Sequence, residues 1–245
     1  MASEKPLVLI TGGSGYLGQF LVQALAKANF QVDLVSGEGL QQCINELAPL
    51  VGVINTAAMS SPGACEKDSD TAREEEAGNP VNVYGKTKLE AEQVIQERWP
   101  NHVILRSSII YGPQSPTPVA RPLFLQFVAR QLAEGTPTSF FNDEFRNPVF
   151  VDDIVRVVLK LLEPGTALSG RVYNMGGPER LSRVDMAVKV AEAWGYSPNA
   201  IISAPSSSVN RGVASPADIS MTSQKLEQEL DLTLTTFSDA LAEIG

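Results

Sequence analysis

Cysteine and histidine are scarce in this sequence of 245 residues, which holds only Cys43, Cys65 and His102. A secreted domain stapled by disulfides needs a denser set of cysteines, so we expect free thiols in a reducing compartment. A zinc site needs Cys or His ligands grouped at short spacings, and no such group accompanies His102. The sequence therefore predicts no metal site, and His102 is expected at the edge of a strand.

Basic charge and long apolar runs are also scarce. The net charge is −9 and the isoelectric point is near 4.7, whereas a surface that binds nucleic acid needs a basic face. No apolar run reaches the roughly 18 residues that span a bilayer, and residues 1–6 lack the features of a signal peptide. We therefore expect a cytoplasmic protein that binds neither nucleic acid nor membrane.

The sequence does contain an alternation of strand and helix patterns. With 43% hydrophobic and 19% charged residues, the composition is that of an ordinary globular protein. Residues 7–10 form an apolar run typical of a buried parallel strand, and apolar residues then recur at helical spacing from Leu17 to Leu25. Strands are predicted at 30–35 and 51–55, with a short helix at 40–47 between them. This order predicts an α/β fold of the Rossmann-like, doubly wound kind with a parallel sheet.

The remaining chain continues this alternation after one interruption. Residues 59–82 are acidic and have almost no β-branched or aromatic residues, so no strand is predicted there and the central strand region is expected to be shortened. Beyond it, strands are predicted at 102–105 and 171–174, and helices at 83–99, 122–134, 151–163, 183–194 and 222–230. We expect residues 1–112 and 146–176 to form a dinucleotide-binding core, and residues 113–145 and 177–245 a small substrate-side lobe.

A glycine-rich turn follows the first strand, with Gly12, Gly15 and Gly18 spaced as G-x-x-G-x-x-G. In a strand–turn–helix unit, the first glycine permits the tight turn and the second lets the backbone approach a pyrophosphate. The third lets helix and strand pack closely, and the helix N-terminus favours the phosphate charge. Because a strand precedes this turn and a helix follows it, the sequence predicts a dinucleotide site.

A second motif, Tyr84-Gly85-Lys86-Thr87-Lys88, places Tyr84 and Lys88 four residues apart and so on one face of a helix. An ammonium near a phenol lowers the phenol pKa from its usual value of about 10. The tyrosine is then able to exchange a proton with a carbonyl or alcohol while a nicotinamide exchanges hydride. The alternative is an exposed tyrosine beside a solvated lysine.

Several segments together resemble the extended short-chain dehydrogenases, and most closely the dTDP-4-dehydrorhamnose reductase family, which includes the regulatory β subunit of methionine adenosyltransferase. These segments are residues 11–18, 55–58 (Asn-Thr-Ala-Ala), 79–90 around Tyr84, 105–112 (Leu-Arg-Ser-Ser-Ile-Ile-Tyr-Gly), 147–154 and 218–226. The resemblance extends over nearly the whole chain.

The resemblance implies a role for individual residues. Tyr84 would be the proton donor, and Lys88 its activator and a ligand of the nicotinamide ribose. Arg146 would lie near the substrate, although pairing with Asp143 or Glu144 at the surface is an equal alternative. The expected cofactor-binding residues are Gly12, Ser14, Gly15, Tyr16, Leu17, Gly18, Ala57, Ala58 and Lys88.

The sequence departs from the family in the segment before Tyr84. There the family has a strand that ends in a Ser or Thr bonded to the substrate carbonyl, but here only the acidic stretch follows Asn55. Ser60 and Ser61 are the candidate hydroxyls that follow the third predicted strand, but the family has a loop at this place. The missing strand would lie beside the first one in the sheet, and an open position there would leave buried amides unpaired. The alternatives are therefore a shortened product, residues absent from the sequence, or another segment that fills the gap.

The expected cofactor preference also differs slightly from that of the family, whose members often use NADPH. No Lys or Arg occurs between Lys27 and Lys67, where a 2′-phosphate usually meets a basic residue, whereas Asp33 or Glu38 could accept a ribose hydroxyl. The cofactor is therefore expected to be NAD or NADP, with a slight preference for NAD.

Two functions remain open at this point. The first is an NAD(P)-dependent reductase acting on a keto group of a nucleotide-linked sugar, favoured by the intact Tyr84 and Lys88. The second is a non-catalytic dinucleotide-binding subunit, favoured by the absent Ser or Thr. The expected partners are a nucleotide sugar, with a second copy of the chain or the catalytic subunit of methionine adenosyltransferase as a protein partner.

Overall fold

The structure, a computed structural model, describes residues 5–35, 50–56, 83–166, 170–210 and 215–245. Outside these ranges lie Glu38, Cys43, Cys65, the predicted helix at 40–47 and the segment 57–82 with Ala57, Ala58, Ser60 and Ser61. The helices are α1 (Tyr16–Lys27), α2 (Val83–Arg98), α3 (Phe124–Ala133), α4 (Val151–Leu161), α5 (Arg183–Trp194), α6 (Gln224–Leu230) and α7 (Phe237–Ile244). The strands are β1 (Leu7–Thr11), β2 (Gln31–Val35), β3 (Leu50–Asn55), β4 (Val103–Ser107), β5 (Ile110–Tyr111), β6 (Thr138–Phe141), β7 (Phe145–Arg146), β8 (Val149–Phe150), β9 (Arg171–Met175), β10 (Leu181–Ser182) and β11 (Ile201–Ala204).

The chain divides into two compact units. The first comprises Met1–Ala58, Pro113–Pro122 and Val151–Thr166, and the second comprises Met59–Gly112, Leu123–Phe150 and Ala167–Gly245. The division predicted above, a dinucleotide-binding core with a C-terminal lobe, stays a prediction.

The first unit is built around β1. Val8, Leu9 and Ile10 are completely buried, as an apolar run with neighbours on both faces should be. β1 pairs in parallel with β2 on one side and β3 on the other, with Leu9 opposite Asp33 and Val53. Helix α1 returns from the carboxyl end of β1 and packs against α4. The predicted α/β class with parallel strands is confirmed.

The position of β3 decides between the alternatives left open above. The place beside β1, opposite β2, is filled by another segment, because β3 pairs with β1 from Leu7 to Thr11. In the strand order 3-2-1-4-5-6, that place belongs to the fourth strand. The third strand of this chain therefore takes the place of the fourth, because pairing with β1 saturates the backbone groups that an open place would leave unpaired.

The second unit contains three parallel strand pairs, β4–β9, β5–β8 and β6–β11, and the antiparallel pair β7–β10. Its core includes Tyr173 and Met175 of β9 and Val190 of α5. Helix α5 begins with a capping box, since Ser182 and Asp185 each bond the other's backbone amide.

The last helix, α7, was not predicted. Thr236 caps it by accepting a bond from the Asp239 amide, and Phe237, Ala240 and Leu241 are buried. The predicted helices 122–134, 151–163, 183–194 and 222–230 all exist, shorter by a few residues at one or both ends except for the third. Among the described helices, none combines the length and apolar character needed to cross a membrane.

Candidate functional site

The glycine turn at the end of β1 is held in a tight conformation that only glycine fits. Gly12 has a φ of 73°, in the left-handed region, and the Gly15 amide donates to the Gly12 carbonyl at 2.9 Å. A Cβ at Gly18 would lie 2.2 Å from the Gly12 oxygen, so the third glycine allows α1 to approach the turn. These are the roles predicted for Gly12 and Gly18 from their spacing.

Among the described residues, no side chain caps the N-terminus of α1. Its N-cap is Gly15, and its first turn has no acidic residue. The positive end of the helix dipole and the backbone N–H groups are therefore able to meet an anion. Together with the close approach of turn and helix, this arrangement fits a dinucleotide pyrophosphate.

Tyr16 and Gln19 connect the turn to the segment after Gly112 through hydrogen bonds. The Tyr16 hydroxyl donates to the Pro113 carbonyl at 2.8 Å. Burial, and to a smaller extent the charge of Asp152, raises the pKa of the Tyr16 phenol. Gln19, which is buried, donates from Nε2 to the Ser14 carbonyl and accepts at Oε1 from Thr117 twice, at 2.8 Å each. The role of Gln19 was not predicted from the sequence, because Thr117 lies 98 residues away in the chain.

The carboxyl ends of β1 and β3 are joined beside this turn. The Thr11 hydroxyl donates to Asn55 Oδ1 at 2.5 Å, and the Thr56 hydroxyl donates to the Thr11 carbonyl at 2.7 Å. The motif 55–58 therefore begins next to the glycine turn. Its last two residues, Ala57 and Ala58, lie outside the described residues, so their predicted role stays a prediction.

Tyr84 and Lys88 lie in the first two turns of α2, in the second unit. Both are half-buried, and Lys88 Nζ is 5.7 Å from the centroid of the Tyr84 ring. The predicted placement on one face of a helix is thus observed. Their catalytic role stays a prediction.

Helix α2 is fastened to β4 one turn beyond Lys88. Glu92, buried at 8% exposure, accepts hydrogen bonds from Arg106 Nε at 2.8 Å and Nη2 at 2.6 Å. The hydrogen bond to Glu92 raises the pKa of the Arg106 guanidinium, burial opposes this, and the Coulomb attraction adds to it. Because Tyr84, Lys88 and Glu92 are spaced by four residues, they lie on the same face of α2. The bonds between Glu92 and Arg106 therefore fix the orientation of the face that carries Tyr84 and Lys88. Arg106 lies in the motif at 105–112, but its pairing with Glu92 was not predicted from the sequence.

Arg146 is buried in β7, whereas the alternative considered above placed it at the surface. Its exposure is 4%, and its Nη2 lies 3.7 Å from Oε2 of the equally buried Glu144. It also donates to the Phe145 and Pro216 carbonyls, at 2.7 and 3.1 Å. The guanidinium therefore holds the chain near residue 216 in place, and a contact with substrate stays a prediction.

Asn147, next to Arg146, lines a cleft in the second unit. Its amide donates to the Gly177 carbonyl at 2.9 Å and accepts from the Met221 amide at 3.0 Å. The cleft beside it has a volume of about 440 Å³ and is also lined by Arg180 and Ser223. A second cleft of about 520 Å³ lies between β9 and α6, lined by Asn174 and Glu229 among others. Neither is lined by Tyr84 or Lys88.

Metal ligands do not cluster in the described part of the chain: no group of three or more His, Cys, Asp or Glu residues there is arranged to hold an ion.

Comparison with known proteins identifies relatives over most of the chain. Probable low-salt glycan biosynthesis reductase Agl14 of Haloferax volcanii is 28% identical over 165 residues, which are 67% of this chain and 54% of that protein. Methionine adenosyltransferase 2 subunit beta of Danio rerio is 24% identical over 174 residues, covering 69% of this chain and 53% of that protein. The matches thus span about half the length of these two relatives.

The fold is shared with a solved reductase. The crystal structure of dTDP-4-dehydrorhamnose reductase from Bacillus anthracis, in complex with NADP, superposes with a TM-score of 0.85 at 21% identity. The match covers 98% of this chain and 99% of that chain, so the predicted Rossmann-like fold is confirmed. In addition, the model of the RmlD substrate binding domain matches residues 71–244. The chain therefore belongs to the RmlD family, that of the dTDP-4-dehydrorhamnose reductases its motifs resemble.

Proposed function

We propose that this chain is a reductase that uses a nicotinamide dinucleotide to reduce a keto group of a nucleotide-linked sugar. The observation that carries the proposal is the placement of Tyr84 and Lys88 on one face of α2, with Lys88 Nζ 5.7 Å from the centroid of the Tyr84 ring. The bond between Glu92 and Arg106 holds α2 on β4. The pair of Tyr84 and Lys88 is the arrangement expected of a proton donor and its cationic neighbour.

The glycine turn supports the cofactor half of this proposal. The uncapped N-terminus of α1 and the absence of side chains at Gly12, Gly15 and Gly18 suit a pyrophosphate. When bound, the nicotinamide supplies the hydride. The sequence favours NAD slightly through Asp33, whereas the solved reductase named above holds NADP. Calorimetric titration of the chain with NADH and NADPH measures which of them binds more tightly.

The protein residues supply the proton and its control. In the proposed step, the Tyr84 hydroxyl gives its proton to the keto oxygen while the keto carbon receives hydride, so that the carbonyl becomes an alcohol. The Lys88 ammonium stabilises the phenolate that remains until water reprotonates it, and it also orients the nicotinamide ribose. Arg146 is proposed to act at the substrate side only by holding the surrounding chain.

The test is oxidation of NADPH and NADH by the purified chain with a panel of 4-keto nucleotide sugars that includes dTDP-4-dehydrorhamnose. We expect turnover by the wild type, and a fall in kcat of at least about 100-fold in Tyr84→Phe and Lys88→Ala. Lys86→Ala is the matched control, since Lys86 is exposed on another face of α2. Absence of turnover despite dinucleotide binding would reject the reductase.

A second candidate is a regulatory subunit that binds the dinucleotide without turnover. It is favoured by the acidic sequence before Tyr84, which has no strand pattern ending in Ser or Thr, and by similarity to the β subunit of methionine adenosyltransferase 2. Size-exclusion chromatography of the chain mixed with a methionine adenosyltransferase catalytic subunit tests it. A stable complex supports this candidate, and separate elution at micromolar concentrations rejects it.

A further inference from the structure

Ser108, the residue after β4, carries a buried hydroxyl that has no hydrogen-bond partner in the described part of the chain. Its amide donates to the Met175 carbonyl at 3.0 Å, so pairing with β9 continues one residue past the strand. The residue is 8% exposed, and among the described residues its Oγ has no hydrogen-bond partner. A buried, unpaired hydroxyl costs stability, so it calls for an explanation.

The Ser108 side chain lies on the face of β4 that α2 covers. Side chains of an extended chain alternate between faces, so residues 106 and 108 share one. Arg106 uses that face to bond Glu92 of α2. Ser107 lies on the opposite face, and its hydroxyl donates to the Ser108 carbonyl at 2.9 Å.

Measured along the axis of α2, Ser108 also lies close to Tyr84 and Lys88. Helix and strand run in opposite directions, because only a short connection separates the end of α2 from β4. Lys88 precedes Glu92 by four residues, about 6 Å along a helix. Ser108 follows Arg106 by two residues, about 6.6 Å along a strand in the same direction. The hydroxyl therefore lies within about a helical turn of both side chains along this axis.

We propose that Ser108 Oγ donates a hydrogen bond to the keto oxygen of the substrate. The inference rests on the proposed reductase function. It assigns to β4 the contact that the family resemblance places on a Ser or Thr of another strand, which the sequence between Asn55 and Tyr84 does not provide. Ser108 keeps its proton throughout, since Tyr84 gives the proton that is transferred. Its hydrogen bond stabilises the negative charge that develops on the oxygen.

The test compares Ser108→Ala with its neighbour Ser107→Ala in the full chain, using NADPH and dTDP-4-dehydrorhamnose. Removal of a donor to a developing oxyanion lowers kcat about 100-fold, and we expect this for Ser108→Ala with the dinucleotide Kd little changed. Because Ser108→Ala also removes an unpaired buried hydroxyl, its Tm should equal or exceed that of the wild type. Ser107→Ala should keep the wild-type kcat.

The outcomes separate this inference from the proposed function. If the wild type turns over and Ser108→Ala stays within twofold of it, the inference is overturned and the reductase stands. If the wild type does not turn over, the reductase is rejected, and calorimetric binding of dTDP-4-dehydrorhamnose to the complex with NADP⁺ decides the inference. Binding about tenfold weaker in Ser108→Ala than in wild type and Ser107→Ala supports it. Equal binding, or none by the wild type, overturns it.

Discussion

Glu92 and Arg106 are joined by two hydrogen bonds, of 2.8 and 2.6 Å, that fasten helix α2 to strand β4. The carboxylate is buried, while about a third of the arginine side chain is exposed. Loss of the arginine would leave the carboxylate buried without its charged partner, which is costly. The pair therefore matters both for stability and for the face of α2 that carries Tyr84 and Lys88.

The first prediction is that Arg106→Leu lowers the free energy of unfolding by about 1–3 kcal/mol, because two hydrogen bonds to a buried charge are lost. Arg130→Ala, which breaks an exposed pair with Glu134, should cost at most about 0.5 kcal/mol. Urea denaturation measures both. Similar costs for the two variants would show that burial of Glu92 does not set the strength of its ion pair.

The second prediction concerns the third glycine of the turn. In Gly18→Ala, the new Cβ would meet the Gly12 carbonyl, so the turn and α1 must separate and the dinucleotide Kd should rise at least tenfold. Gly52→Ala, in β3, is the control, since its Cβ would meet only the flexible end of Leu162 at 3.3 Å. Calorimetric titration with NADPH measures the Kd of both variants. An unchanged Kd in Gly18→Ala would contradict binding of the dinucleotide at the glycine turn.

A third prediction concerns Gln19, which links the glycine turn to Thr117. Gln19→Leu removes the bonds to Ser14 and Thr117 and leaves their backbone groups unpaired, so we expect a loss of about 1–3 kcal/mol in unfolding free energy and weaker dinucleotide binding. Gln23, exposed on the same helix, provides the control Gln23→Leu. If both variants bind the dinucleotide with the wild-type Kd, the hydrogen bonds of Gln19 are not needed for binding.

The fourth prediction concerns stability in alkali. Burial raises the pKa of Tyr173 to about 12, helped by a 2.7 Å hydrogen bond from its hydroxyl to Glu229. Because the folded pKa lies above the unfolded value of about 10, the folded state holds the proton more tightly. This contribution is complete below about pH 10 and is lost as the pH rises to about 12.

The corresponding measurement is urea denaturation between pH 8 and 12. The wild type should lose roughly 2–3 kcal/mol more unfolding free energy over this range than Tyr173→Phe, which has no phenolic proton. Tyr196→Phe, two residues after α5, serves as a matched control for the substitution itself. Parallel curves for the wild type and Tyr173→Phe would exclude Tyr173 as the source.

Local sequence patterns predicted the elements better than their arrangement. The apolar run of β1, the helical spacing of α1 and the strand at β3 were all predicted, because hydrophobic periodicity reports them directly. The pairing of β3 with β1 was not predicted, since periodicity does not encode which strands pair. Helix α7 was missed, although Thr236 and Asp239 have the spacing of a helix cap.

The same limit applies to the candidate site. Gly12, Gly18, Tyr84 and Lys88 could be chosen from spacing alone, because each motif lies within one turn or helix. Gln19, the Glu92–Arg106 pair and Ser108 depend on partners, or on the lack of one, that only the folded chain defines. Arg146 was chosen by resemblance, and its burial with Glu144 could not be read from neighbouring residues.

The most direct test of the central claim is the fate of the hydride. The full chain is incubated with dTDP-4-dehydrorhamnose and NADPH deuterated at the transferable position of the nicotinamide, and the nucleotide sugar is analysed by mass spectrometry. The account predicts a reduced sugar one mass unit heavier than the product formed with unlabelled NADPH, and almost none with Tyr84→Phe. A product without deuterium, or no reduced sugar from the wild type, would contradict it.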